Sequence, residues 1–291
     1  MSENAKSQSA FQKKWQTLKA NPSSLVLFVL VNLAALLSIA TLAFSVCYIL
    51  IKGVPQLTPS LFSLHYDTTN VSMLPSLINT LMMTVIALAI SLPIGIGAAI
   101  YLVEYAKNGS KFVDIVRLTA ETLTGIPSII YGLFGSIFFV KFCHMGLSLL
   151  SGALTLAIMV LPVVLRTTEE ALKMVPVSYR EGSFGLGAGK LHTITQVVLP
   201  SAIPGIMSGV ILAIGRIVGE SAALIFTAGT VAEVASSALS SARTLAVHMY
   251  VLSGEGLYMN QTFATAVVLL LLAMFLNFAA EAVARFLRKD Q

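Results

Sequence analysis

The sequence predicts an all-α membrane protein with six transmembrane helices. Of its 291 residues, 56% are hydrophobic and only 11% are charged, whereas about a quarter of the residues in soluble domains are charged. Several apolar runs are each long enough to cross a bilayer. Lysine and arginine are concentrated in every second loop between these runs, as expected for membrane-spanning helices with a fixed orientation.

The N-terminal part consists of a polar, basic segment and a first transmembrane helix. In residues 1–23, Phe11, Trp15 and Leu18 share one helical face among four lysines. This pattern favours a short helix lying on an anionic membrane surface, and disorder is the alternative. Residues 24–51 form an apolar run that exceeds a signal-peptide core and suffices to span the bilayer, so we expect an uncleaved first transmembrane helix there.

The remaining five spans are expected within residues 74–287, which we interpret as one membrane domain. Residues 106–119 are polar and are predicted to be a loop, and Pro93 predicts a kink in the second span. The expected spans are residues 77–105, 123–140, 147–165, 202–228 and 263–286. Small-xxx-small pairs, which are typical of close helix packing, occur in the fifth span at Gly205/Gly209 and Gly215/Gly219.

The distribution of positive charge predicts the orientation of the chain. Fourteen of the 18 Lys and Arg residues flank the spans on one side, three lie on the other, and Arg216 lies inside a span. Because cytoplasmic loops are enriched in Lys and Arg, both termini and residues 166–200 are expected in the cytoplasm. The net charge of +5 is thus explained by topology. The lipid bilayer is the expected partner of these segments, and no nucleic-acid partner is expected.

A polar, glycine-rich stretch between the fourth and fifth spans, Glu181–Pro200, predicts two short helices joined by a hinge. Ser178 and Glu181 have the spacing of a capping box at the first helix. Four glycines then break that helix, and apolar residues resume at helical spacing before Pro200, which should close the second helix. Such an element suits contact with a soluble partner, and an ordinary capped loop is the alternative.

This stretch resembles the coupling loop of binding-protein-dependent ABC importers. Their signature is Glu-Ala-Ala, three residues, Gly, nine residues, and then Ile-x-Leu-Pro. Here small residues replace the two alanines and valine replaces isoleucine. The anchors in register are Glu181, Gly187, Val197, Leu199 and Pro200. The resemblance implies the type I importer permease fold, with residues 166–200 as a cytoplasmic coupling loop that contacts a partner ATPase.

The same loop contains a run that could be mistaken for a nucleotide-binding motif. Residues 187–190, Gly-Ala-Gly-Lys, lack both the earlier glycine and the following Ser or Thr of a phosphate-binding loop, because Phe184 and Leu191 stand at those positions. The two cysteines lie in apolar runs and the four histidines are scattered, so neither a metal site nor a hydrolytic centre is expected. The chain is therefore expected to bind no cofactor and to be non-catalytic.

Two charged residues, Arg216 and Glu220, lie inside the fifth predicted span. Charges there cost about 3 kcal/mol each on insertion scales, so they usually face a bundle interior and pair. Their i, i+4 spacing would place them on one helical face, within reach of each other. One interpretation is a neutral pair that fixes helix packing. The other places Arg216 on the path of an oxyanion, with Glu220 limiting how tightly the anion binds.

A further candidate, Ser128, lies in the third predicted span, where Gly125 and Pro127 loosen the helix. Ser128 could cap the resumed helix, whose N-terminal end favours anions. A packing kink without contact to a substrate is the alternative. The candidate substrate path therefore comprises Arg216, Glu220 and Ser128.

A wider resemblance extends from about residue 76 to the C-terminus. It is carried by residues 79–80, 93–102, 125–135 and 215–220, which are similar to permeases of the phosphate-specific ABC importer, the Pst system. The short first loop and Thr244–Leu245 favour the A-type subunit, PstA, over its sister PstC.

The resemblance to the Pst system implies a permease subunit of an ATP-driven phosphate importer in the bacterial inner membrane. Its partners would be the sister permease PstC, a dimer of the ATPase PstB, which would bind ATP and magnesium, and the phosphate-binding protein PstS. Closure of the ATPases would move the coupling loop and alternate access to a path through Arg216. A permease for another oxyanion, such as molybdate or sulfate, and an ion-coupled secondary transporter are the alternatives.

Overall fold

The computed structural model describes residues 22–107 and 109–289, and this part of the chain is helical without β-strands. It divides into two compact units after Lys52. The first unit contains helix α1, Pro22–Gly53, except for its last residue, and no residue of the most apolar stretch of this helix is buried. The surface helix predicted in residues 1–23 lies almost entirely outside the described residues, so it stays a prediction.

The described part of the second unit contains ten further α-helices, numbered here in chain order. Their bounds are α2 Leu74–Ile100, α3 Lys111–Thr124, α4 Ser128–Gly135, α5 Leu149–Met174, α6 Val177–Gly185, α7 Lys190–Thr193, α8 Leu199–Val218, α9 Ala222–Thr227, α10 Leu245–Glu255 and α11 Met259–Lys289. Three of them continue into π-helical turns, at Tyr101–Tyr105 after α2, Ser136–Phe142 after α4 and Ile194–Val198 after α7.

Five described segments are long and apolar enough to cross a membrane, and the bent pair α3–α4 makes a sixth when it is counted as one span. The five are Ser23–Gln56, Leu74–Tyr105, Leu149–Met174, Lys190–Val218 and Met259–Phe286. The predicted all-α class with six spans is confirmed. Within the second unit, the coupling loop marks one end of the bundle. Residues 54–73 and 228–244 mark the other, called here the opposite end.

The centre of the bundle is formed by α2, α5 and α8. Met83, Leu156 and Met159 are fully buried there. Because lipid is as apolar as these side chains, burial does not drive helix association inside a membrane, and close van der Waals packing takes its place. The bundle therefore depends on positions where two backbones can approach closely.

Such close approach occurs along the seam between α5 and α8. A Cβ atom at Gly205 would lie 2.5 Å from the Cβ of Ala171, and one at Gly209 would overlap Oγ1 of Thr167. This small-xxx-small pair serves helix packing, as predicted. Gly215, in the second pair, has open space around it, so the packing prediction is wrong for that glycine within this chain.

The third span differs from the predicted residues 123–140. Helix α3 begins at Lys111 in what was expected to be a loop, and the chain bends by 104° before α4. Pro127 explains the break, because it lacks an N–H group and its ψ angle is 139°, far from helical. The hydroxyl of Tyr131 donates to the carbonyl of Leu123 at 2.7 Å and closes the bend.

The fifth span differs from the predicted residues 202–228. It runs from Lys190 to Val218 as one apolar segment, and Pro200 is the second residue of α8 instead of closing a helix. In the π-helical turn before α8, the backbone hydrogen bonds depart from the regular α-helical pattern and leave one carbonyl without an N–H partner. Proline, which has no N–H group, is accommodated at this point. The chain leaves the helix at Gly219, so residues 219–221 interrupt the predicted span.

The opposite end is held by buried backbone hydrogen bonds to one amide side chain. The Asn79 amide group donates to the carbonyls of Glu233 and Arg243 at 2.8 and 3.2 Å. Its oxygen accepts from the N–H of Ala235 at 3.0 Å. Asn79 is fully buried, so it ties the irregular segment before α10 to α2 with three bonds that water does not replace.

Candidate functional site

The coupling loop folds as two short helices joined by a hinge, as predicted. α5 extends to Met174, so the irregular part of the loop begins later than residue 166. α6 ends at Gly185 and α7 begins at Lys190. Between them Gly187 has a φ of +84°, a conformation that costs a residue with a side chain roughly 1–2 kcal/mol.

The start of α6 differs from the predicted Ser178–Glu181 capping box. Pro176 occupies the N-cap position and no side chain caps the helix, because Ser178 already lies in its first turn. The two halves of the loop are joined instead by the hydroxyls of Ser183 and Thr193, 2.8 Å apart. The hinge is therefore braced by a hydrogen bond across it.

The anchors of the importer signature fall into two groups in the structure. Glu181 and Gly187 are exposed on the loop, whereas Val197, Leu199 and Pro200 are half-buried where the loop enters α8. Leu199 packs against an apolar cluster formed by the ends of α2, α5 and α8. The exposed group is available to a partner, and the other group fixes the loop to the bundle.

A shallow groove of about 600 Å³ opens along the exposed side of the coupling loop. Large apolar side chains stand at this surface, with Leu186 91% and Leu191 68% exposed. The groove is lined in part by Tyr179, His192 and Val197. An exposed groove with apolar side chains in and beside it is typical of a contact site.

Sequence reasoning missed Arg180, the residue that holds this loop against the bundle. Its Nε and Nη2 groups donate to Oε1 of Glu104 at 3.0 and 2.7 Å. Nη1 donates to the carbonyl of Val175 at 2.9 Å, and Nη2 also donates to that of Leu172 at 3.0 Å. Glu104 lies 76 residues earlier in the chain, so no local spacing could reveal the contact.

Arg216 lies half-buried near the end of α8. Within the described residues, no carboxylate forms an ion pair with it. The phenol of Tyr131 is near enough for an electrostatic interaction with the guanidinium. Arg216 is therefore a membrane-embedded cation whose charge no acidic side chain in the described part of the chain neutralises.

The predicted pairing of Glu220 with Arg216 is wrong. α8 ends at Val218, so Glu220 does not lie one helical turn beyond Arg216. The Glu220 side chain is buried, and its Oε1 accepts a hydrogen bond from the backbone N–H of Ala223 at 3.0 Å. Glu220 therefore supports the first turn of α9.

The predicted capping role of Ser128 is also wrong. Ser128 is the half-buried first residue of α4, and Pro127 occupies the cap position. α4 packs directly on α9, because a Cβ atom at Gly132 would lie 2.7 Å from the Cα of Ala223. The three candidate path residues therefore lie on neighbouring elements, with no hydrogen bond between any two of them in the described part of the chain.

Comparison with known proteins identifies the family. Residues 91–289 match the family described as binding-protein-dependent transport system inner membrane component. The chain belongs to this family. Members are the membrane components of ABC transporters, and ATP hydrolysis is carried out by a partner subunit.

This permease has curated bacterial relatives. It is 41% identical to the probable ABC transporter permease protein YqgI of Bacillus subtilis (strain 168) over 189 residues, 62% of each chain. It is 43% identical to the phosphate transport system permease protein PstA of Xylella fastidiosa (strain Temecula1 / ATCC 700964) over 146 residues, 50% of each chain. The chain thus spans between half and about three fifths of the length of these relatives.

Solved ABC transporters share the fold of this permease. One is a bacterial alginate ABC transporter in complex with an alginate pentasaccharide-bound periplasmic protein. The TM-score is 0.67 at 14% sequence identity, and the match covers 94% of this chain and 98% of that chain. Another is an inward-facing MetNI methionine ABC transporter, with a TM-score of 0.56, 21% identity and coverage of 74% and 94%. These similarities confirm the type I ABC importer permease fold.

Proposed function

We propose that this chain is the A-type permease subunit of an ATP-driven importer of inorganic phosphate. The observation that carries the proposal is Arg216, a half-buried guanidinium inside a membrane span without a carboxylate partner among the described residues. A cation in such a place is costly, and substrate paths are among the functional sites that such residues mark.

The chemistry of Arg216 suits a phosphate-like anion. A guanidinium presents several N–H donors in a planar fork that matches the oxygens of phosphate. None of the Arg216 N–H groups donates a hydrogen bond within the described residues, so they remain available to an anion. Since Glu220 does not neutralise Arg216, we propose that Glu220 shapes the path by fixing α9, and that Ser128 lines it from α4.

The relatives support phosphate but leave room for another substrate. The Xylella relative is named as a phosphate transport permease, whereas the Bacillus relative is named only as a probable ABC transporter permease. The solved neighbours are transporters of alginate and methionine. Molybdate or sulfate is the alternative substrate class, and an ion-coupled secondary transporter is the alternative mechanism.

In the proposed complex, this permease stands beside the sister permease PstC in the bacterial cytoplasmic membrane, with both termini in the cytoplasm. A dimer of PstB contacts the coupling loop through Glu181 and Gly187, and binds the ATP and magnesium that this chain does not bind. Val197, Leu199 and Pro200 pass loop displacement into α8. The phosphate-binding protein PstS delivers phosphate at the opposite end.

The test is ATP-driven uptake of radioactive phosphate by proteoliposomes holding the chain with its sister permease, ATPase and binding protein. Because hydrogen bonds to a charged group contribute about 1.5–3 kcal/mol, Arg216→Ala should reduce uptake at least about tenfold, with the complex intact. Arg216→Lys, which keeps the charge without the fork, should be intermediate. Arg285→Ala is the control, because that arginine is exposed and pairs with Glu281 in its own helix.

Each alternative gives a different result in the same vesicles. Undiminished uptake by Arg216→Ala would remove that residue from the path. Uptake of molybdate or sulfate in preference to phosphate would reassign the substrate. Uptake that persists without the ATPase would support the secondary transporter.

A further inference from the structure

The coupling loop contacts the end of α2 through Arg180. Its guanidinium donates four hydrogen bonds, two to Glu104 and one each to the carbonyls of Leu172 and Val175. Glu104 belongs to the π-helical turn after α2, the Leu172 carbonyl belongs to the end of α5, and the Val175 carbonyl belongs to the residue that caps α5. One side chain of the first loop helix therefore holds two bundle helices at once.

The ion pair between Arg180 and Glu104 is sheltered from water. The two side chains are 16% and 9% exposed, and Nη2 lies 2.7 Å from Oε1. A buried charge that loses its partner is strongly disfavoured, so the two groups stay together when the elements around them move. The neighbouring Glu181 is exposed. Arg180 therefore faces the bundle, while the next residue of α6 faces the solvent.

The second half of the loop contacts the same turn. Nζ of Lys190, at the start of α7, lies 4.8 Å from the ring centre of Tyr105. The hinge at Gly187 lies between Arg180 and Lys190, so both halves of the loop contact residues 101–105. The contact through Tyr105 is exposed and is weaker than the buried ion pair.

The contacted turn is joined firmly to the bundle. Leu102 is buried against side chains of α3 and α5, including Val113 and Leu165. Further along α2, a Cβ atom at Gly95 would lie 2.8 Å from Cγ1 of Val164, which brings α2 and α5 into close contact. A displacement that enters at residues 101–105 is therefore passed into the packed centre of the bundle.

We propose that Arg180 is a positioning residue that passes displacement of the coupling loop to α2 through Glu104. This route is separate from the direct chain connection through Leu199 and Pro200 into α8. The proposal rests on the ATP-driven import proposed above, because it assigns a path for the movement that ATP causes.

The variant that isolates this route is Glu104→Ala. It removes the contact with α2 and leaves the two bonds from Arg180 to the Leu172 and Val175 carbonyls. In proteoliposomes of the complete complex, ATP hydrolysed per phosphate imported should rise at least about fivefold, the lower range of coupling effects between sites. Glu104→Gln, whose amide oxygen can still accept from Arg180, should lie between the wild type and Glu104→Ala.

The matched control is Glu281→Ala, which breaks another Arg–Glu contact of 2.7 Å. That contact with Arg285 is exposed and lies within one helix. Its loss should leave the number of ATP molecules hydrolysed per phosphate imported unchanged. An unchanged ratio in Glu104→Ala would overturn the proposal. Failure of both Glu104 variants to assemble, with Glu281→Ala assembled, would also overturn it by making the ion pair a folding contact.

A second measurement does not depend on the substrate. Cys47 and Cys143 are first changed to serine. Ile94 on α2 and Val177 on α6, both exposed, are then changed to cysteine, and each cysteine carries a spin label. Trapping the complex with ATP and vanadate should leave the distance between the labels unchanged. With Glu104→Ala added, trapping should change it, and equal behaviour of the two proteins would overturn the proposal. Wild-type vesicles that fail to import phosphate would instead contradict only the proposed substrate.

Discussion

The two ends of the bundle hold their buried polar groups differently, by neutral acceptors at the opposite end and by ion pairs at the coupling-loop end. At the opposite end, Arg243 donates to the Thr230 carbonyl at 2.8 Å and lies 3.2 Å from Nδ1 of His248. The Tyr66 ring centre lies 5.3 Å from its guanidinium carbon. Within the described residues, no carboxylate pairs with Arg243.

At the coupling-loop end, carboxylates form ion pairs both between helices and within α5. Glu169 on α5 lies 2.6 Å from both Arg117 of α3 and Lys173, and Glu104 holds Arg180. Attraction between charges falls slowly with distance, whereas a neutral hydrogen bond weakens steeply when it is bent. The opposite end therefore suits one fixed geometry, while the coupling-loop end can keep its contacts as the geometry changes.

The largest effect is expected from breaking the neutral network at Asn79. Asn79→Ala leaves three buried backbone groups without their partner, and each costs about 1–3 kcal/mol. The yield of assembled complex and its melting temperature should both fall. Asn32→Ala is the control, because Asn32 is exposed and donates only to a carbonyl of its own helix. An unchanged melting temperature for Asn79→Ala would contradict the fixed role of this end.

The next effect concerns pH and His248, which lies in α10, outside the long spans. The pKa of His248 is lowered from 6.5 to about 3, mainly by burial and also by the neighbouring positive charge of Arg243. Stability is therefore complete above pH 6.5 and decreases as the pH falls towards 3, because the unfolded chain binds a proton that the folded ring does not. At 1.36 kcal/mol per pH unit, this group destabilises the fold at pH 5 by about 2 kcal/mol.

The measurement is the melting temperature of the complex between pH 5 and pH 7 for His248→Asn, beside the wild type. Asparagine does not titrate and its oxygen can still accept from Arg243. The variant should therefore lose less stability in acid than the wild type. Equal pH dependence of the two proteins would show that His248 does not set the acid limit of the opposite end.

The smallest effect on stability is expected at the hinge of the coupling loop. Gly187→Ala places a side chain at a φ of +84°, which costs roughly 1–2 kcal/mol and is confined to the loop. ATP-driven uptake should fall while the melting temperature changes little. Gly182→Ala is the control, because both glycines have open space around them and Gly182 lies within α6. Equal uptake by the two variants would separate the hinge from transport.

Much of the fold could be predicted from the sequence because lipid imposes long apolar runs. The runs predicted the spans, and the spacing from Glu181 to Pro200 predicted the two-helix loop. A loosened helix was predicted at residues 125–127, but the bend of 104° there was not. The break at residues 219–221 was missed. Glycine and proline within a span permit either a kink or a break, and only packing against neighbouring helices decides between them.

The candidate site was harder to predict because its contacts are not local. The i, i+4 rule placed Glu220 beside Arg216, but it holds only while the helix continues, and α8 ends between them. The contact of Arg180 with Glu104 depends on the folded arrangement of α2, α5 and α6. The sequence could identify Arg216 as a charged residue inside a span, but it could not predict which side chains surround it.

The seam between α5 and α8 also has a consequence for evolution. The absent side chain at Gly209 is the space that Thr167 occupies, so residue 209 cannot gain a side chain while Thr167 keeps its size. A larger residue at 209 should arise only after a smaller residue at 167. Over generations these two sites should therefore change as a pair, although they stand on different helices.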